Sequence, residues 1–125
     1  MATNVRKLLA ELLAVDLPAG WVVIDHGTDL DNPMKPTIVV RQTTMTRTPG
    51  QPRMYRDLGF TVGLVEPGLD PQKLEDALDA DVAILIDVLE KIPMPGLTWQ
   101  DALRVTFDSK LAGYDIHLTI TTEKD

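Results

Sequence analysis

Cysteine is absent from the chain. That excludes disulfides, thiolate nucleophiles and every zinc site that needs sulfur, and it fits assembly in a reducing cytoplasm. Serine occurs once, as Ser109 in the context FDSK, without the glycines of a nucleophile elbow, so a Ser-His-Asp device has no framework. The glycine-bearing stretches GFTVG and PGLDP lack the spacing of a phosphate-cradling loop, which leaves nucleotide binding without a motif. No run of about 18 or more apolar residues occurs, and the first residues, MATNVRKLL, lack a long apolar core with a small-residue cleavage site. The expectation is a soluble chain that no standard signal exports.

What is present is enough for one domain, residues 1–125, with one hydrophobic core: 125 residues, 44% of them hydrophobic. A net charge of -7 disfavours nonspecific binding to DNA or to an anionic membrane. The charge is unevenly spread. From Arg41 to Arg56 there are four arginines (Arg41, Arg47, Arg53 and Arg56) and no acid, so this segment is +4 and the remainder of the chain is -11.

The strongest pattern is DPQKLEDALDADVAILIDVLEKI, Asp70 to Ile92. Leu74, Leu78, Val82, Leu85, Leu89 and Ile92 recur at steps of three and four, which puts them on one stripe of an α-helix roughly 33 Å long. Asp70 is a suitable N-cap, Pro71 suits the first helical position, and Glu75 and Asp76 favour the positive end of the dipole. Pro93, Pro95 and Gly96 then stop the helix at about Ile92.

Ahead of it, Val5, Leu8, Leu9, Leu12 and Leu13 have helical spacing, with Thr3 or Asn4 as cap and Leu17-Pro18-Ala19-Gly20 as stop. Trp21 to Asp25 reads as a strand, followed by a loop. TIVVRQTTMTR, from Thr37, reads as a strand buried at its start and polar at its end. After the TPGQP turn, Leu58, Phe60, Val62 and Leu64 alternate with Asp57, Gly59, Thr61 and Gly63, so one face packs and the other is wetter or closely approached. Beyond the long helix, a strand from about Leu103 to Phe107 should point Leu103, Val105 and Phe107 inward. The last strand alternates Tyr114, Ile116, Leu118 and Ile120 with Asp115, His117, Thr119 and Thr121. Short connections predict antiparallel neighbours, a meander followed by a hairpin. The expected fold is α+β: a two-layer sandwich, one mostly antiparallel sheet of about five strands under two helices, in the order α-β-β-β-α-β-β.

Asp25, His26, Asp29 and Asp31 cluster in one loop, but no glycine falls where a calcium loop turns, and one histidine among aspartates is a weak ligand set; a solvated acidic loop is the favoured reading, with no metal. His117 reads as a surface or interface histidine. The arginine segment has two readings. It is a solvated hairpin tip, or a basic arm that docks on an acidic partner, which another copy of this chain would itself supply. Arginine at all four positions favours an interface. The candidate interface residues are Arg41, Arg47, Arg53, Tyr55 and Arg56. Direct nucleic-acid binding is disfavoured, since Tyr55 is the only aromatic in this segment on which a base would stack.

The N-terminal amphipathic helix, WVVIDHG, the TIVVRQTTMTRTPGQPRMYRDLGFTVGL hairpin, the long helix and the final TWQDALRVTFD and YDIHLTITT pair together resemble the tail terminators of long-tailed phages, in particular the small ones of actinobacteriophages. The resemblance lies in order, length and pattern over essentially the whole chain. It implies a non-enzymatic virion protein without a cofactor, assembled in the host cytoplasm into a hexameric ring at the head-proximal end of the tail. Its implied partners are other copies of itself, the major tail tube protein and the head-to-tail connector, with no membrane. Three other readings stay open: another head-to-tail joining protein, a small α+β module that binds a ligand or partner, and a small enzyme using Asp25, His26 and Asp29.

Overall fold

A computed structural model describes residues 4–24, 35–47, 50, 55–67, 71–107 and 111–123. The elements are α1 (Val5–Asp16), β1 (Val22–Ile24), β2 (Thr37–Arg47), β3 (Tyr55–Val65), α2 (Pro71–Lys91), β4 (Leu97–Phe107) and β5 (Leu111–Glu123). This is the α+β architecture read from the sequence, with a five-stranded sheet in the order β1-β2-β3-β5-β4. Asn4 caps α1, its side-chain oxygen accepting from the Lys7 amide at 3.1 Å. The proposed cap of α2, Asp70, lies outside the described residues.

Both helices lie on one face of the sheet because both need a cover for an apolar stripe. Leu9 and Leu13 of α1 and Leu85 and Leu89 of α2 share one core with Ile38 and Val40 of β2, Phe60, Val62 and Leu64 of β3, and Ile116 and Leu118 of β5. Leu8 stays at the rim, 37% exposed. A bidentate ion pair ties α2 to the edge strand: the Arg104 guanidinium donates to both Glu75 oxygens at 2.7 and 3.1 Å. These hydrogen bonds, with a smaller help from the cation's charge, hold the Glu75 carboxyl below the usual range.

Two expectations are corrected. The first concerns β1, which pairs with β2 in parallel, Val22 beside Thr37 and Ile24 beside Val39, so the meander does not include it. A parallel neighbour requires a crossover, and the twelve residues between Ile24 and Thr37 are long enough for one where a tight turn is not. The second concerns β4. It begins at Leu97, and its register against β5 shifts between Trp99 and Asp101. One extra residue reverses the phase of everything after it. Trp99 and Ala102 therefore face the core, while Leu103, expected inside, is 51% exposed on the opposite face.

β2 and β3 form the hairpin, paired from Thr37 with Val65 out to Arg47 with Arg56, with a bulge between Gln42 and Thr44. The bulge brings Thr44 against Gly59 so closely that a Cβ on Gly59 would collide with the Thr44 hydroxyl. This is the close approach the glycine alternation of β3 called for.

Candidate protein interface

The hairpin divides the predicted interface residues between two faces. Arg56 shares the parity of Leu58 and Phe60 and so projects on the helix side of the sheet, with Arg47 directly opposite it. Met45, opposite Leu58, lies on the same face and is 55% exposed, and its sulfur accepts a weak hydrogen bond from Arg56 Nη1 at 3.9 Å. Arg41 and Tyr55 lie on the other face. Arg41 comes within 3.9 Å of Asp115 Oδ1, a buried oxygen with no hydrogen bond of its own. Tyr55 is half-buried opposite Glu123 at the end of β5. Arg53 lies outside the described residues.

Like charges placed directly across two antiparallel strands repel, with side-chain roots only ~5 Å apart. Among the described residues neither Arg47 nor Arg56 meets a carboxylate. The pair thus carries an uncompensated +2 next to an exposed thioether. Arg41, by contrast, already has an acid nearby.

The acid they lack stands on the outer surface of the helices. Residues 71–91 hold six carboxylates against two lysines. Asp76, Asp79, Asp87 and Glu90 are exposed, and their spacing places them along one stripe of α2. Where α1 meets this helix, a groove of about 440 Å³ is lined by Asp16, Ile84, Asp87, Val88 and Lys91. A second groove, of about 410 Å³, runs between the end of α2 and the start of β4, bordered by Leu89, Met94 and Trp99, whose indole donates to Glu90 at 3.3 Å. Neither Met45 nor these grooves was found from the sequence. An isolated methionine in a polar strand end carries no periodic signal, and a groove between two helices exists only after packing.

The other ionisable groups fall into structural positions. His117 Nδ1 is 2.7 Å from Asp101 Oδ1 on the helix-free face, a cross-strand partner that only the β4 bulge brings into register. Thr121 donates to Asp57 at 2.7 Å on the same face. Glu66, just past β3, is 2% exposed, and its carboxyl pKa is pushed up to about 8, first by burial and then by its hydrogen bond to Asp81 and that group's charge. A raised, buried carboxyl can mark an active site. Glu66, however, lines neither groove. The acidic loop residues Asp25, His26, Asp29 and Asp31, and Ser109, lie outside the described residues. Among the described residues no three metal-binding side chains gather, and no helix is long and apolar enough to cross a membrane.

No protein-family model matches the chain, and no curated protein matches it significantly.

Proposed function

We propose that this chain is a structural, self-associating protein, and specifically a phage tail terminator: a homo-oligomeric ring that ends growth of the tail tube and presents a surface to the head connector. The observation that carries the reading is the Arg47–Arg56 pair, which meets no acid among the described residues, at the end of a hairpin in a chain whose residues outside Arg41 to Arg56 sum to -11. A second copy supplies the missing counter-charge at no cost in new sequence. Contacts between unlike surfaces of identical chains close into rings when the rotation permits. The resemblance in order and pattern to small tail terminators supports a position for such a ring at the head-proximal end of a tail.

The test is negative-stain microscopy of the purified protein, alone and mixed with the major tail tube protein of the same virion. Rings with a central hole, seated on tube ends and halting elongation, are the expected result. Rings that never engage tubes would move the assignment to another head-to-tail joining role. A chain that stays monomeric at its highest soluble concentration would refute self-association.

A further inference from the structure

Resting on the self-association reading, we propose that the groove between α1 and α2 receives the β2–β3 hairpin of a second copy, with Met45 entering against Ile84 and Val88 while Arg47 and Arg56 meet Asp16 and Asp87. The two surfaces are complementary in kind and in order. On the hairpin, an apolar side chain 55% exposed sits beside two cations that meet no acid among the described residues. In the groove, Ile84 is 36% exposed and Val88 half-buried, between two carboxylates that likewise meet no cation there. Among the described residues only those of α1 and α2 line the groove, and the described strands of the chain's own hairpin are not among them.

An unbranched thioether suits an irregular apolar slot, because it adapts its three torsions to the space offered. Lys91 also borders the groove and opposes an incoming cation. Its charge sits at the end of a long flexible stem and can swing outward, leaving its methylenes as groove wall. Hairpin and groove are different surfaces of the same chain, so the contact is head-to-tail, the type that builds rings or filaments.

Charge exchange tests this pairing. One variant carries Arg47→Glu with Arg56→Glu, the other Asp16→Arg with Asp87→Arg; all four positions are exposed or half-buried, and circular dichroism melts establish that each variant folds. Alone, each variant sets like charge against like, and association measured by sedimentation should weaken roughly 100-fold or more. Mixed in equal amounts, each hairpin finds an opposite groove, and assemblies of strictly alternating composition should return. If the wild type does not associate at all, the self-association reading fails. If it associates and the Asp16→Arg, Asp87→Arg variant does so equally well, or the mixture stays dissociated, the groove is not the receptor, while self-association stands. An Ile84→Glu variant gives a second readout that leaves the carboxylates in place: assembly should be lost, and normal assembly would overturn the role of the apolar slot.

Discussion

Glu66→Gln should stabilise the protein, and only at neutral and alkaline pH. The carboxyl is 2% exposed, and its folded-state pKa stands at about 8 against an ordinary 4.5. Since the folded chain holds this proton more tightly than the unfolded chain, the group's contribution to stability is complete below about pH 4.5. It is then lost as pH rises through 8. At roughly 1.4 kcal/mol per pH unit, the loss across that window reaches about 4–5 kcal/mol, a large part of a typical total of about 5–15 kcal/mol. Glutamine keeps the shape and a donor toward Asp81 but has no charge to acquire. Urea unfolding at intervals from pH 5 to pH 9 should therefore give a falling curve for the wild type and a flatter one for the variant. The two should nearly meet at pH 5 and separate by several kcal/mol at pH 9. Parallel curves would refute the argument, because they would mean that Glu66 titrates alike in the folded and unfolded chains.

Leu85→Asp puts a carboxylate at a fully buried position in the middle of the α2 stripe, at a cost of several kcal/mol, and should prevent soluble folding; wild-type-like melting of that variant would show the helix face to be wrong. Gly96 has a φ of +84°, and a Cβ there would lie 2.5 Å from the Thr121 carbonyl oxygen, so Gly96→Ala should lower stability by roughly 1–3 kcal/mol in denaturant melts. Arg104→Met should return the titration of Glu75 upward toward the ordinary carboxyl range, as followed by carboxyl NMR, because the hydrogen bonds that depress it are gone.

The parts of the fold legible in the sequence are those where one local pattern decides the outcome. The stripe from Leu74 to Ile92 fixes α2 and its buried face, and the alternation from Leu58 to Leu64 fixes the inner face of β3. Leu103 shows where such reading stops. Counting by two from Phe107 is correct within β4 after the bulge, yet which parity faces the core is set by Trp99 and by the extra residue at position 100, and these act through the pairing with β5. The same shift sets Asp101 beside His117, a partner that counting along β5 alone could not supply. The direction of β1 was hidden for a different reason. Three residues, VVI, contain no information about whether their neighbour runs with or against them; the length of the connection to Thr37 does.

The candidate interface was legible as charge and illegible as shape. Composition alone isolates a +4 segment in an acidic chain, and the hairpin follows from the two strands that flank it. It takes the bulge after Gln42 to decide that Arg47 shares a face with Met45 and Arg56 while Arg41 turns away toward Asp115. Without the bulge, Arg41 and Arg47 have the same parity and would form one cationic row on the helix-free face. With it, they act separately: Arg41 has a carboxylate in its own chain, and Arg47 has a second arginine across the ladder. A cation with an internal partner offers little to another molecule, since a new contact must first compete with the old one. An uncompensated pair gains from any acid it meets, and in this protein the acids stand on the outer faces of the helices.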